Sequence, residues 1–335
     1  MFALGTDGAP GIDPFALLLA AMLIEALIGE ARPLFRVLRH PVRIVGDAIA
    51  FLDRKLNREH RTNTDRAFRG ALAVLTMVGA AGALGWALAW GASRSPWAAL
   101  AALLLLATLL AGRSLYDHVR AVADALERKG VEAGRTAVGH IVGRETDRLD
   151  SAGVARAAIE SLAENFSDAV VAPVFWFALF GVPGLLVYKV VNTMDSMIGH
   201  VEPKYRAFGF TAARLDDVLN LAPARLSALL IAIAAVAAPT ASPKAALRAI
   251  RRDAGKHRSP NSGWPEAAMA GALGLALAGP RLYAGHVFDE PWIGDGRKDA
   301  TSLDIRRALY VYVVACLLVG ALTAAILLLR LRYGT

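Results

Sequence analysis

The chain has 335 residues, 56% of them hydrophobic, with a mean hydropathy of +0.43 and a formal net charge of +8. An apolar share above the roughly 45–50% of soluble domains excludes an ordinary water-soluble enzyme, and a single cysteine, Cys316, excludes both an intramolecular disulfide and a thiolate metal cluster. The basic excess is spread through loops that flank apolar runs, which reads as membrane topology rather than nucleic-acid binding.

In chain order, residues 1–13 carry no Lys or Arg, so the basic opening of a secretory signal peptide is missing. The first apolar run, Pro14 to Gly29, is expected to be a retained helix with its acidic N-terminus outside. About 20 apolar residues cross a bilayer core as a helix. On that basis Gly70–Trp90, Trp97–Gly112 and Ala308–Leu329 are further spans, and Ala222–Ala238 is a fifth candidate. Pro265–Gly279 is short and glycine-rich, suited to an interfacial or buried helix. Val170–Val191 is interrupted at Pro183-Gly184, which predicts a re-entrant hairpin, because broken helices survive at membrane depth when protein shields them. The expectation is an all-α polytopic membrane protein, a single integral domain over 1–335 with about 4–6 transmembrane helices and cytoplasmic helical loops.

Orientation follows from loop charge. The segment after the first run carries Arg32, Arg36, Arg39, Arg43, Arg54, Lys55, Arg58, Arg61, Arg66 and Arg69; the loop after the third carries Arg113, Arg120, Arg128, Lys129, Arg135, Arg144, Arg148 and Arg156. The turn between the second and third runs has Arg94 alone. Basic loops stay inside, which places both large loops, and a site facing them, on the cytoplasmic side of an inner membrane. The parity of later crossings stays open.

Four polar clusters interrupt the apolar pattern. In ESLAENFSDAVVAPVFW (Glu160–Trp176), helical residues four apart lie ~40° around and ~6 Å along from one another, so Glu160, Glu164 and Asp168 share a face beside Ser161 and Asn165. A solvated face accounts for Glu160 as well as a site does. Asp168 runs straight into an apolar segment, and carboxylates there call for a cation, Mg²⁺ rather than zinc given the oxygen-only set. In KVVNTMDSMIGH (Lys189–His200), Lys189, Asn192, Asp195 and Ser196 form a polar stripe on an apolar helix, and ionisable groups in such segments usually mark a site. In ARLDDVLNLAPARL (Ala213–Leu226), Arg214 can pair with Asp217, while Asp216 and Asn220 are four apart; an ordinary surface helix carries the same pattern. In KHRSPNSGWPEAA (Lys256–Ala268), Ser259, Asn261, Ser262 and Gly263 form a shaped loop opening a helix, either a phosphate cradle or plain turn and cap residues. No Walker-type, G-x-G-x-x-G, G-x-S-x-G or H-E-x-x-H motif is present.

Taken together, HPVRIVG (His40–Gly46), GRETDRLD (Gly143–Asp150), AIESLAENFSDAVVAPVFW (Ala158–Trp176), YKVVNTMDSMIGH (Tyr188–His200), FGFTAARLDDVLNLAPARL (Phe208–Leu226) and SPNSGWPEAAMAGALG (Ser259–Gly274) resemble the CobD/CbiB family of cobalamin biosynthesis, the adenosylcobinamide-phosphate synthases. The resemblance covers most of the chain. It implies amide formation between the free propionate of adenosylcobyric acid, a corrinoid, and aminopropanol phosphate or aminopropanol, driven by ATP and Mg²⁺. It also implies roles: Glu164, Asp168, Asp195 and Asp216 or Asp217 at the metal; Lys189, Arg214 and Arg43 against phosphate charge; Asn165, Asn192 and the Ser259–Gly263 loop at substrate or nucleotide; and His40, His118 or His257 as proton acceptor, with His257 the candidate carried forward. Other pathway enzymes or a soluble partner are further expectations, and nucleic acid is not. The rival readings are a non-enzymatic inner-membrane sensor of the AmpE type and a transporter binding solute at the broken helix.

Overall fold

The computed structural model describes residues 12–29, 39–58, 60–143, 145–283, 286–288 and 290–333. Arg32, Arg36 and Arg144 of the sequence reading lie outside them. In chain order the elements are α1 (Pro14–Ile28), α2 (Pro41–Leu56), α3 (Asn63–Ala92), α4 (Pro96–Leu109), α5 (Gly112–Lys129), α6 (Val131–Val138), α7 (Ser151–Asn165), a π-helical segment (Phe166–Val171), α8 (Ala172–Ile198), α9 (Phe210–Leu219), α10 (Leu221–Ala234), α11 (Pro243–Asp253), a short 3₁₀ turn (Ala254–Lys256), α12 (Gly263–Leu273), strands β1 (Leu277–Ala278), β2 (Arg281–Tyr283), β3 (His286–Phe288) and β4 (Trp292–Ile293), and α13 (Ser302–Tyr333).

Among the described residues four helical runs are long and apolar enough to cross a membrane: Asn63–Ala92, Pro96–Lys129, Ser151–Ile198 and Ser302–Tyr333. The pair α9 and α10, bent by 44° at its junction, is a fifth candidate. The chain is therefore an all-α polytopic membrane protein. Two sequence expectations need correction. Helix α1 has 15 residues, ~22 Å of rise, which falls short of a ~30 Å hydrocarbon core. The apolar stretch read as a helix over 265–279 ends as a helix at Leu273, because Gly274 adopts the left-handed conformation (φ 67°) that closes helices. Beyond it the chain pairs β1 with β4 and β2 with β3, both antiparallel.

The fold comprises two compact units that alternate along the chain. Unit 1 takes residues 1–111, 172–220 and 322–335. Its core gathers Leu18, Leu106, Phe177, Leu185, Met194 and Phe208. Lipid tails are as apolar as leucine, so helices in a bilayer associate mainly through close packing at small residues. Gly85 of α3 is such a place: a Cβ there would lie 2.5 Å from Pro183 Cα. Gly70 similarly leaves room for the Phe208 carbonyl. The break expected at Pro183-Gly184 falls at Gly181 (φ 66°, ψ −151°), two residues earlier. The chain turns back sharply there, since a Cβ on Gly184 would sit 2.3 Å from the Trp176 carbonyl oxygen, whereas a straight helix separates residues eight apart by ~12 Å. A buried network fixes the segment after α8: Asn57 donates to Asp53 (2.8 Å) and to the Lys204 carbonyl (3.0 Å), and Arg66 donates to Asn57 (2.8 Å) and to that same carbonyl. Arg330, near the end of α13, pairs at 3.0 Å with Asp13, the N-cap of α1.

Unit 2 takes residues 112–171 and 221–321. Helices α10, α11 and α12 pack on alanines, and Gly271 brings α12 against the Ala245 carbonyl of α11. The excursion from Leu275 to Thr301 is held by three buried carboxylates, each accepting a backbone N–H. Glu160 takes Ala278 at 2.8 Å, Asp253 takes Gly294 at 2.9 Å, and Asp304 takes Thr301 at 2.9 Å. Cys316 is half-buried on α13.

Candidate functional site

In unit 1 the polar residues lie on the last turns of α8 and on α9. Past Gly181, α8 buries Leu185, Val190, Val191 and Met194, and keeps Tyr188, Asn192 and Asp195 on one helical stripe. Asp216 of α9 is buried and accepts from Asn220 Nδ2 at 2.9 Å and from Asn192 Nδ2 at 3.3 Å. The Tyr188 hydroxyl donates to Asn220 Oδ1 at 3.0 Å, completing the chain of bonds. Both donors to Asp216 are neutral amides, while Asp195 and Asp217 are like charges acting on it. Arg214 is committed to Asp217 at 3.2 Å, as its i,i+3 spacing predicts. A buried carboxylate in that setting is costly, and a cation relieves it.

Lys189 is half-buried on the same helix, with the Thr193 hydroxyl donating to its carbonyl at 2.7 Å. The ring of Tyr188 also helps to close an apolar cavity of about 270 Å³ with Trp176, Phe180, Pro183 and Leu219. Arg43 is exposed in the first turn of α2, which His40 caps by accepting the Val42 N–H at Nδ1.

In unit 2 the expected stripe does not continue as an α-helix. The run changes to π-helical winding at Phe166, immediately after Glu164 and Asn165, so Asp168 stands on a wider turn than Glu160 and Glu164. Such segments interrupt α-helices frequently at functional sites. Glu160 is not on a solvated face: it is buried and spent on Ala278. Glu164 accepts from the Ser262 hydroxyl at 2.9 Å, which joins the first and fourth sequence clusters. Within the π segment, Ser167 Oγ is buried without a hydrogen-bond partner.

Three of the candidates bond within their own segments. Asn165 turns its amide back onto its own helix, donating to Ser161 O at 2.9 Å, rather than outward to a ligand. Three of the loop N–H groups considered for phosphate, those of Ser259, Asn261 and Ser262, are taken inside the loop. Ser259 Oγ accepts from Asn261 (3.2 Å) and Ser262 (3.3 Å), and the Ser259 N–H goes to His257 Nδ1 (3.0 Å). Gly263 is a close-approach residue, since a Cβ there would meet the Ala254 carbonyl at 2.3 Å. His257 Nδ1 accepts from the Ser259 N–H, and its Nε2 faces the buried Glu266 at 3.8 Å, so the ring braces the loop. His118 is arranged the other way. Its Nδ1 lies 2.7 Å from the Ser114 carbonyl, which can only accept, so Nδ1 carries the hydrogen and Nε2 keeps the lone pair.

Within neither unit, among the described residues, do three or more His, Cys, Asp or Glu side chains stand together as a ready-made ion shell. Sequence reading passed over Tyr188, whose four-residue spacing from Asn192 was a usable signal. It also passed over Ser167 and Glu266, which had none.

The family model described as CobD/Cbib protein matches residues 18–312. Curated relatives named "Cobalamin biosynthesis protein CobD" include one from Sinorhizobium sp, 51% identical with 92% of this chain and 97% of the relative covered. Another from Rhizobium meliloti (strain 1021) is 50% identical, with 90% and 93% covered. A third, from Rhodobacter capsulatus, is 42% identical, with 89% and 92% covered. No solved structure gives a significant match.

Proposed function

The chain belongs to the CobD/CbiB family, and from that premise we propose that it makes an amide bond in cobalamin biosynthesis, joining the free propionate of adenosylcobyric acid to (R)-1-aminopropan-2-ol phosphate or to aminopropanol. A carboxylate does not react with an amine at neutral pH, because oxide would have to leave. In the proposed sequence a propionate oxygen takes the γ-phosphoryl group of ATP and ADP departs. The amine nitrogen then attacks the acyl carbon, the C–N bond forms as the C–O bond to phosphate breaks, and the ammonium proton passes to a base.

Mg²⁺, when bound, neutralises charge on the polyphosphate and the transferring group. The donors fit such an ion: they are all oxygen, and Mg²⁺ is commonly held by one or two carboxylates plus substrate phosphates. In unit 1, Asp195 and Asp216 would hold it, with Asp217 kept in place by Arg214. In unit 2, Glu164 and Asp168 are the carboxylates the proposal draws on, and the Ser262 hydroxyl orients Glu164. Lys189 and Arg43 supply positive charge for phosphate, while Arg214 stays engaged with Asp217. His118 Nε2 is the proton acceptor in place of His257.

The observation that carries this reading is that the matched region, residues 18–312, contains every one of these polar groups, including a buried Asp216 with no structural counter-ion among the described residues. The test is purified protein in nanodiscs given adenosylcobyric acid, Mg-ATP and each amine in turn. The expected outcome is the corrinoid amide with one ADP released per amide. No amide with either amine, even with cell extract added, would overturn the assignment.

A further inference from the structure

The turn joining α3 to α4 carries an aromatic cluster outside every polar site described above. Trp86 and Trp90, one helical turn apart, stack with centroids 6.4 Å apart and planes at 25°. The Arg94 guanidinium lies over the Trp90 ring at 4.0 Å, and the Ser93 hydroxyl caps the Trp90 carbonyl at 2.8 Å. Trp97 opens α4 on the far side of the turn and is 80% exposed; Trp86 is 59% and Trp90 50% exposed.

Three bare indoles and one cation are an improbable surface to leave in water. Helix α3 has the length and composition to cross a bilayer, and only 22% of its most apolar window is buried inside the protein, so its flanks face lipid. The tryptophans sit at the end of that stretch, where amphipathic rings settle at headgroup depth. Trp86 lies ~6 Å deeper along the axis than Trp90. Among the described residues no acidic side chain pairs with Arg94, so its charge is available to something else.

We propose that this corner is a binding site for the phosphate headgroup of an anionic phospholipid, with Arg94 on the phosphate and Trp86, Trp90 and Trp97 on the glycerol and upper acyl region. Stacking on Trp90 holds the guanidinium plane over the ring. The site is independent of the amide-forming reaction. It fixes this turn at a lipid–water interface.

The experiment uses the full chain in phosphatidylcholine nanodiscs carrying brominated phosphatidylglycerol or brominated phosphatidylcholine. The signal is the tryptophan emission that is lost in Trp90→Phe. In the wild type, half-quenching should need about fivefold less brominated phosphatidylglycerol than brominated phosphatidylcholine, the equivalent of roughly 1 kcal/mol for one basic residue at an anionic surface. Arg94→Gln should abolish the preference and Arg94→Lys should keep most of it; Arg94 is exposed, so both changes alter its contact with Trp90 and leave the buried core untouched. Equal potency of the two lipids on the wild type would overturn the proposal, as would an undiminished preference in Arg94→Gln. Inorganic phosphate at matched ionic strength should leave the quenching unchanged, and displacement by it would overturn the lipid as the ligand's source.

Discussion

Asp216 is the buried carboxylate on which the proposed unit 1 site turns. Its two oxygens are held by Asn192 and Asn220, which fix its direction without neutralising it, and Asp195 and Asp217 add like charge. Asp216→Asn removes the negative charge and keeps the shape. It leaves one amide donor facing another, a penalty of ~1–3 kcal/mol, partly offset by the lost repulsion. Turnover is expected to fall at least 10–100-fold, the usual cost of disturbing a metal ligand or its supporting shell, while size-exclusion behaviour and helical content stay those of the wild type. Activity equal to wild type would remove Asp216 from the chemistry. Tyr188→Phe tests orientation alone and should lower the rate less, because it frees Asn220 without touching the charge.

Among the helices, the contact of α3 with α8 illustrates how close packing replaces hydrophobic drive in lipid. Gly85 abuts Pro183, so Gly85→Ala forces the pair apart at a typical overpacking cost of ~1–3 kcal/mol. Gly82→Ala is the control on the same helix: its Cβ would meet Val187 at 3.8 Å, ordinary contact. The detergent melting midpoint should drop clearly in Gly85→Ala and stay put in Gly82→Ala; equal midpoints would show that the contact is looser than described. Much of this layer was legible in the sequence, because runs of Leu, Ala and Val declare buried or lipid-facing helices whatever their partners. The break near Pro183 was visible within two residues, since Pro removes an N–H while the neighbouring Gly181 supplies the positive φ. The π winding at Phe166–Val171 was not, because a 3.6-residue template applied to Glu160, Glu164 and Asp168 cannot register one inserted residue. The Ser259 loop stayed open in the sequence for a related reason: Ser, Asn and Gly serve a cap and a phosphate cradle equally, and only geometry shows that the Ser259 hydroxyl accepts from the Asn261 and Ser262 N–H groups.

Across the whole molecule, units 1 and 2 alternate along the chain, and the sequence does not signal this: its one sharp change of composition near a boundary, from apolar to charged after residue 111, also reads as the end of a membrane span. Unit 2 depends on Glu160, Asp253 and Asp304 to hold the excursion between α12 and α13. Burial alone would push the Asp253 carboxyl up, but hydrogen bonds from Arg252, Lys256 and the Gly294 N–H outweigh it and hold the group well below the usual carboxylate range. A depressed folded-state value means the stabilisation is fully present above the unfolded value near 3.8 and is lost as pH falls through the folded one. The melting midpoint is therefore expected to hold from neutrality to about pH 5 and to decline steadily below about pH 4. Asp253→Asn should lower it at neutral pH and flatten the acid limb; an unchanged acid limb would assign acid sensitivity elsewhere. Asp13 and Arg330 bind the two ends of unit 1 through a single ion pair. These partners are 317 residues apart, so in vectorial synthesis the cap of α1 is made long before the side chain that pairs with it.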